Sequence, residues 1–192
     1  MDDLELLCEK IKGCSMCGLR KTCARVVCGE GSSSAEVVFI GEAPGREEDK
    51  QGRPFVGAAG KLLTELLLSI GFSRDDIYIT NVVKCRPPNN RDPLPEEISA
   101  CLPHLKDQLM IIKPKLIVTL GRHAMNIFLP GLKISEVHGQ AKRANGLWNN
   151  RQVYLPLYHP AAALYDSRKR ETLFDDFKKI ILLLKKVTID PS

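Results

Sequence analysis

The chain has no hydrophobic run approaching the roughly 20 residues a membrane-crossing helix needs; stretches such as Leu66–Leu68 and Ile180–Leu184 fall far short. It opens on Met1, Asp2 and Asp3, acidic where a secretory leader is basic, so an intracellular protein is expected. With 14 Gly, 12 Pro and 44% hydrophobic residues it has neither the glycine and proline excess of a fibrous chain nor the apolar poverty of a disordered one. No repeat, low-complexity tract or linker divides it. Its 192 residues are therefore expected to form a single domain, 1–192, able to bury a core without staples. The chain also lacks an even cysteine count: there are seven. Without an export signal no disulfide framework is expected, and the thiols read as metal ligands or buried side chains.

Positive charge is unevenly spread. Residues 1–96 carry 13 Lys and Arg against 15 Asp and Glu, whereas residues 97–192 carry 15 against 8. A basic second half suits a polyanionic partner, although a solvated, lysine-rich last helix gives the same count.

Four β-rich runs, Glu36–Ile40, Ile77–Val83, Lys115–Leu120 and Gln152–Leu157, alternate with helical periodicity over Gly60–Ile70, Pro95–Ile112 and Arg122–Leu129. That alternation predicts an α/β fold of three layers, a central, mainly parallel four-stranded sheet flanked by helices. In such folds ligands bind at the carboxyl ends of the strands. Those ends carry Gly41-Glu42-Ala43-Pro44-Gly45, Thr80-Asn81, Gly121-Arg122-His123 and Tyr158-His159-Pro160. Ahead of the sheet, residues 4–12 read as a short amphipathic helix. The N-terminal segment, about 1–34, carries five of the seven cysteines.

Cys14-Ser15-Met16-Cys17 lets two sulfurs reach one metal from a single turn. It precedes the first strand, unlike a redox dithiol. Cys85, after the second strand, and Cys101, on the next helix, form a second pair. Four thiolates suit zinc or an iron–sulfur cluster, and the spacing equally permits a local set of Cys14, Cys17, Cys23 and Cys28.

In the first loop, glycines allow close backbone approach to a ligand, and Glu47-Glu48-Asp49 adds an acidic cluster. Phe55, in Gly52-Arg53-Pro54-Phe55-Val56-Gly57, is either a core anchor or a surface for stacking a base. Asn81 ends an otherwise apolar strand. Its amide offers an acceptor beside donors, matching the N3–H and O4 of uracil and mismatching cytosine. His159 is placed to donate to a developing anion.

Taken together, GEAPG…EED…GRPFVGAAGKLL (41–63), ITNVVKCRPPNNRDP (79–93), YHPAA (158–162) and the C-x-x-C with Cys85 and Cys101 resemble the family 4 uracil-DNA glycosylases over roughly residues 10–180. The resemblance implies a DNA-repair hydrolase that flips uracil out of DNA and cleaves its N-glycosidic bond through an oxocarbenium-like transition state, leaving an abasic site. It implies a [4Fe-4S] cluster on Cys14, Cys17, Cys85 and Cys101. Hydrolysis transfers no electrons, so the cluster reads as a staple for the N-terminal segment. It implies a uracil pocket including Gly41 and Ala43, with Phe55 stacking on the base, Asn81 reading N3–H and O4, His159 bonding O2, and Glu48 crowding C5 against thymine. Glu42 is assigned to the cationic sugar and the water; relatives outside family 4 carry that function one position later, where this chain has Ala43. Arg168, Lys169 and Arg170 are expected on DNA phosphates, with Lys142 and Arg143 as weaker candidates and Leu164 as a wedge. A monomer acting on uracil-containing DNA is expected. The alternatives are a relative acting on other deaminated bases, or a non-catalytic nucleic-acid-binding protein with a structural zinc.

Overall fold

The computed structural model describes residues 2–147 and 151–189. Among these residues six strands, β1 (Glu30–Gly31), β2 (Val37–Gly41), β3 (Tyr78–Asn81), β4 (Leu116–Leu120), β5 (Lys142–Ala144) and β6 (Gln152–Leu157), form one sheet. Their order is β1-β3-β2-β4-β6-β5. The inner four are parallel, and β1 and β5 are antiparallel edges. The expectation of four strands thus becomes six. The two additions are two and three residues long and largely polar, too short to show a period.

Among the described residues, seven α-helices accompany the sheet: α1 (Asp3–Lys12), α2 (Arg46–Gln51), α3 (Ala58–Ser69), α4 (Pro95–Ile112), α5 (Arg122–Phe128), α6 (Ile134–Val137) and α7 (Ser167–Ile189). None is long and apolar enough to cross a membrane. Alternation along the strands splits the core. Val38, Ile40, Ile117 and Tyr154 face α1, α4 and α5, while Val37, Phe39, Val118 and Leu155 face α3 and α7. This gives the expected three layers. α1 starts at Asp2, whose carboxylate accepts from Glu5 N while Glu5 accepts from Asp2 N, a capping box. α4 starts at Pro95 and is anchored by Glu97, which accepts from Leu94 N at 2.8 Å.

Two local expectations change. The acidic Glu47-Glu48-Asp49 run is helical, within α2, and Asp49 is buried because its Oδ1 accepts from the backbone N–H of Ala24 (2.9 Å) and Arg25 (3.3 Å). Cys8 and Cys28 are joined in a disulfide, against the expectation of thiols throughout. The bond ties α1 to the segment before β1, and it dissolves the local Cys14, Cys17, Cys23 and Cys28 set by removing Cys28.

Candidate active site and cysteine cavity

The parallel register places Gly41 beside Asn81 at the carboxyl ends of β2 and β3. A side chain at Gly41 would have its Cβ 2.4 Å from Asn81 Oδ1 and 2.7 Å from Phe55 Cζ, so only glycine lets these two groups share the space. Phe55 is buried with φ 51°, a left-handed conformation that its surroundings enforce. Arg74 donates to Phe55 O at 3.1 Å and Pro54 O at 2.7 Å, and Glu48 Oε1 accepts from Val56 N and Gly57 N, both at 2.8 Å. Behind the loop Gly60 is equally obligatory, since a Cβ there would lie 1.8 Å from Phe55 O.

Across from Phe55 stands His159, which follows β6; their rings lie 5.6 Å apart at 27°. Gly121, at the end of β4, brings the backbone against His159, with only 3.1 Å from a hypothetical Cβ to the histidine Cβ. Glu42, Ala43, Glu48, Phe55, Asn81 and His159 together line one cleft of about 380 Å³. Gly41 packs against Asn81 and Phe55 without itself lining the cleft. The residues scattered from position 41 to 159 therefore converge, as strand-end placement predicts.

The chemistry of each group follows from its partners. Asn81 is 2% exposed, and its Oδ1 has no hydrogen-bond partner, an orphaned acceptor in the cleft wall. His159 Nδ1 accepts from Ala161 N at 3.1 Å, which leaves the proton on Nε2. Burial lowers its pKa to about 4 despite nearby Glu48, so the ring is a neutral donor at pH 7. Burial raises the pKa of Glu42, His123 opposes the rise, and Asp92 adds to it.

On the other face of the sheet, Cys14, Cys17, Cys85 and Cys101 line a single, apolar-walled cavity. Met16 N donates to Cys14 Sγ at 3.5 Å and Lys84 N to Cys101 Sγ at 3.3 Å, while His104 Nε2 lies 3.2 Å from Cys14 Sγ. Among the described residues no three cysteine sulfurs lie within 4.8 Å of one another. Four sulfurs on one zinc at about 2.3 Å would stand about 3.8 Å apart. The cavity gathers the four thiols without converging them on a point. Lys84, 1% exposed, links the two sites: its Nζ donates to Thr80 Oγ1 (2.6 Å), Asn81 O (2.8 Å) and Gln108 Oε1 (2.6 Å).

At the surface Arg168 is exposed, but Arg170 pairs with Glu65 and lies over Phe174, and Lys169 pairs with Asp166. Lys142 and Arg143 lie on the edge strand β5. Leu164 packs partly into the α3/α7 core, which leaves its neighbour Tyr165, 98% exposed, as the projecting side chain after the His159 loop. Sequence reasoning missed Tyr165, Arg74 and Lys84. Arg74 and Lys84 act through folded contacts that no spacing announces, whereas an aromatic residue shortly after the His-Pro turn was a usable signal for Tyr165.

A model of the uracil DNA glycosylase superfamily matches residues 28–184. Curated relatives include a type-4 uracil-DNA glycosylase of Sulfurisphaera tokodaii, 49% identical over 99% of this chain and 90% of the relative. Another, from Archaeoglobus fulgidus, is 51% identical over 94% and 92%. A third, from Thermotoga maritima, is 44% identical over 95% of each.

Proposed function

The chain belongs to the type-4 uracil-DNA glycosylases of the uracil DNA glycosylase superfamily, and from that premise we propose that its cleft takes a uracil flipped out of DNA and hydrolyses the N-glycosidic bond. The carrying observation is Asn81 Oδ1. It is a buried acceptor without a partner, costly to leave so by about 1–3 kcal/mol, and the N3–H of uracil satisfies it. Cytosine presents an acceptor at N3 and leaves it unpaired. Phe55 offers its ring face to the base, and Glu48, fixed by Val56 N and Gly57 N, borders the C5 side where thymine carries its methyl.

As the bond breaks, positive charge grows on the sugar and negative charge on the base. Glu42 stabilises the first and orients the water; the Nε2–H of His159 stabilises the second at O2. Because His159 is already neutral, with Nδ1 held by Ala161 N, it donates without reorganising. Arg168 is assigned to phosphate contact and Tyr165 to the gap left by the base. Replacing Tyr165 with Ala is expected to slow excision from duplex DNA and leave single-stranded excision near the parent rate; equal slowing on both would remove that role.

Cys14, Cys17, Cys85 and Cys101 are assigned to a [4Fe-4S] cluster. Four thiols in one cavity, with backbone N–H groups aimed at two of the sulfurs, fit it. When bound, the group supplies a covalent tie between the N-terminal segment and the sheet and no electron to the hydrolysis. The test is incubation with DNA carrying one uracil, thymine or cytosine, followed by alkaline cleavage. Strand scission only at uracil is expected. Scission at none of the three leaves a DNA-binding protein without glycosylase activity.

A further inference from the structure

The Gly121-Arg122-His123 turn after β4 has no part in the mechanism above, yet it brings an imidazole to the rim of the cleft. His123 Nε2 lies 3.3 Å from Asp92 Oδ2 and 3.7 Å from Glu42 Oε2. Their ligand atoms all lie within 4.8 Å of one another. The same Nε2 accepts a hydrogen bond from Arg122 Nε at 3.0 Å. That hydrogen bond occupies the Nε2 lone pair, so a metal reaches the imidazole only when Arg122 gives it up. Two carboxylates and one imidazole nitrogen gathered this closely offer three ligand atoms to a single cation once Arg122 withdraws. Ligand atoms held at about 2.0–2.2 Å from one ion stand about 3–3.5 Å apart, near the 3.3 and 3.7 Å that separate His123 Nε2 from Asp92 and Glu42.

We propose that Glu42, Asp92 and His123 form a site for a divalent transition-metal ion whose occupation switches uracil excision off. One imidazole with two carboxylates suits zinc, cobalt or manganese better than magnesium, which prefers oxygen ligands and water. The site rests on the reading of Glu42 as the carboxylate that faces the sugar, because binding a metal there neutralises the charge the transition state needs. Arg122, exposed at the helix start, is the cation now beside the imidazole and competes with the metal for Nε2. Metal binding breaks only that hydrogen bond and changes no oxidation state.

The experiment titrates zinc chloride into the cluster-loaded protein and follows single-turnover uracil release at pH 8, with the cluster's visible absorption recorded in parallel. Excision is expected to fall at least tenfold, with the absorption unchanged, and to recover on adding EDTA. His123→Ala and Asp92→Asn are expected to retain metal-free excision and to need at least tenfold more zinc for the same inhibition, whereas Arg122→Ala needs less. Equal sensitivity of parent, His123→Ala and Asp92→Asn overturns the proposal, as does inhibition accompanied by loss of the cluster absorption. Calorimetry with zinc alone reads the site without any activity. One bound ion lost in His123→Ala supports the site even if the parent releases no uracil, an outcome that would refute the glycosylase reading separately.

Discussion

Replacing Gly41 with Ala adds one methyl group at the point where β2, Asn81 and Phe55 meet. The backbone accepts it, since Gly41 is not among the glycines with positive φ. The added Cβ would lie 2.4 Å from Asn81 Oδ1 and 2.7 and 2.9 Å from two Phe55 ring carbons, where ordinary contact is 3.4–4 Å. Asn81 and Phe55 must each retreat by about 1 Å, a displacement that costs on the order of 100-fold in rate when it falls on positioning groups. Overpacking of this kind costs about 1–3 kcal/mol of stability, a tolerable loss for a domain of this size. The assay pairs single-turnover uracil release with thermal denaturation and visible absorption. The expected variant is folded and cluster-loaded, with excision down about 100-fold. A folded Gly41→Ala protein that cleaves at the parent rate would refute the placement of uracil between Asn81 and Phe55.

Further outcomes follow from the same geometry. Glu42→Gln preserves shape and removes charge, so single-turnover excision should fall by about 100-fold or more with DNA affinity nearly intact, whereas Arg168→Ala should weaken binding at every sequence and lower the salt slope by about one. Asn81→Asp replaces the amide with a group that has no donor for O4, and discrimination between uracil and cytosine should weaken by roughly 1–3 kcal/mol, read from the ratio of excision rates. Cys85→Ala or Cys101→Ala should lose visible absorption and thermal stability together; colourless parent protein with one zinc would contradict the cluster assignment. His159 should titrate near 4 by NMR. Its folded pKa lies below the unfolded value of 6.5, so the unfolded chain binds more protons between the two and stability should fall as pH drops through that window; titration near 6.5 would contradict the buried, neutral donor.

Long, periodic elements were legible in the sequence. Gln152–Leu157 and Pro95–Ile112 have the expected bounds, and the other inner strands differ by one or two residues at their ends. The edges were not legible, because Glu30–Gly31 and Lys142–Ala144 take their extended form from pairing with β3 and β6 rather than from any pattern of their own. The acidic run at 47–49 illustrates the same limit. Composition suggests a solvated loop, whereas Asp49 is fastened to the distant backbone N–H groups of Ala24 and Arg25, and Glu48 to those of Val56 and Gly57. The site's strand-end residues could be located from the α/β pattern, but what each one does to uracil came through the family resemblance. The clamp of Arg74 on the Phe55 loop and the Lys84 tether between Asn81 and the Cys101 neighbourhood exist only once the sheet has formed. Cys8 and Cys28 could not be paired from the sequence for the same reason: seven cysteines permit many pairings, and only the docking of α1 selects this one.

The most direct test of the cleft is a crystal structure of the protein soaked with free uracil. The base should lie against Phe55 with N3 within about 2.7–3.2 Å of Asn81 Oδ1, the ordinary range for an N–H donor, and with O2 toward His159 Nε2. Uracil bound elsewhere, or in the cleft with N3 turned away from Asn81, would contradict the account.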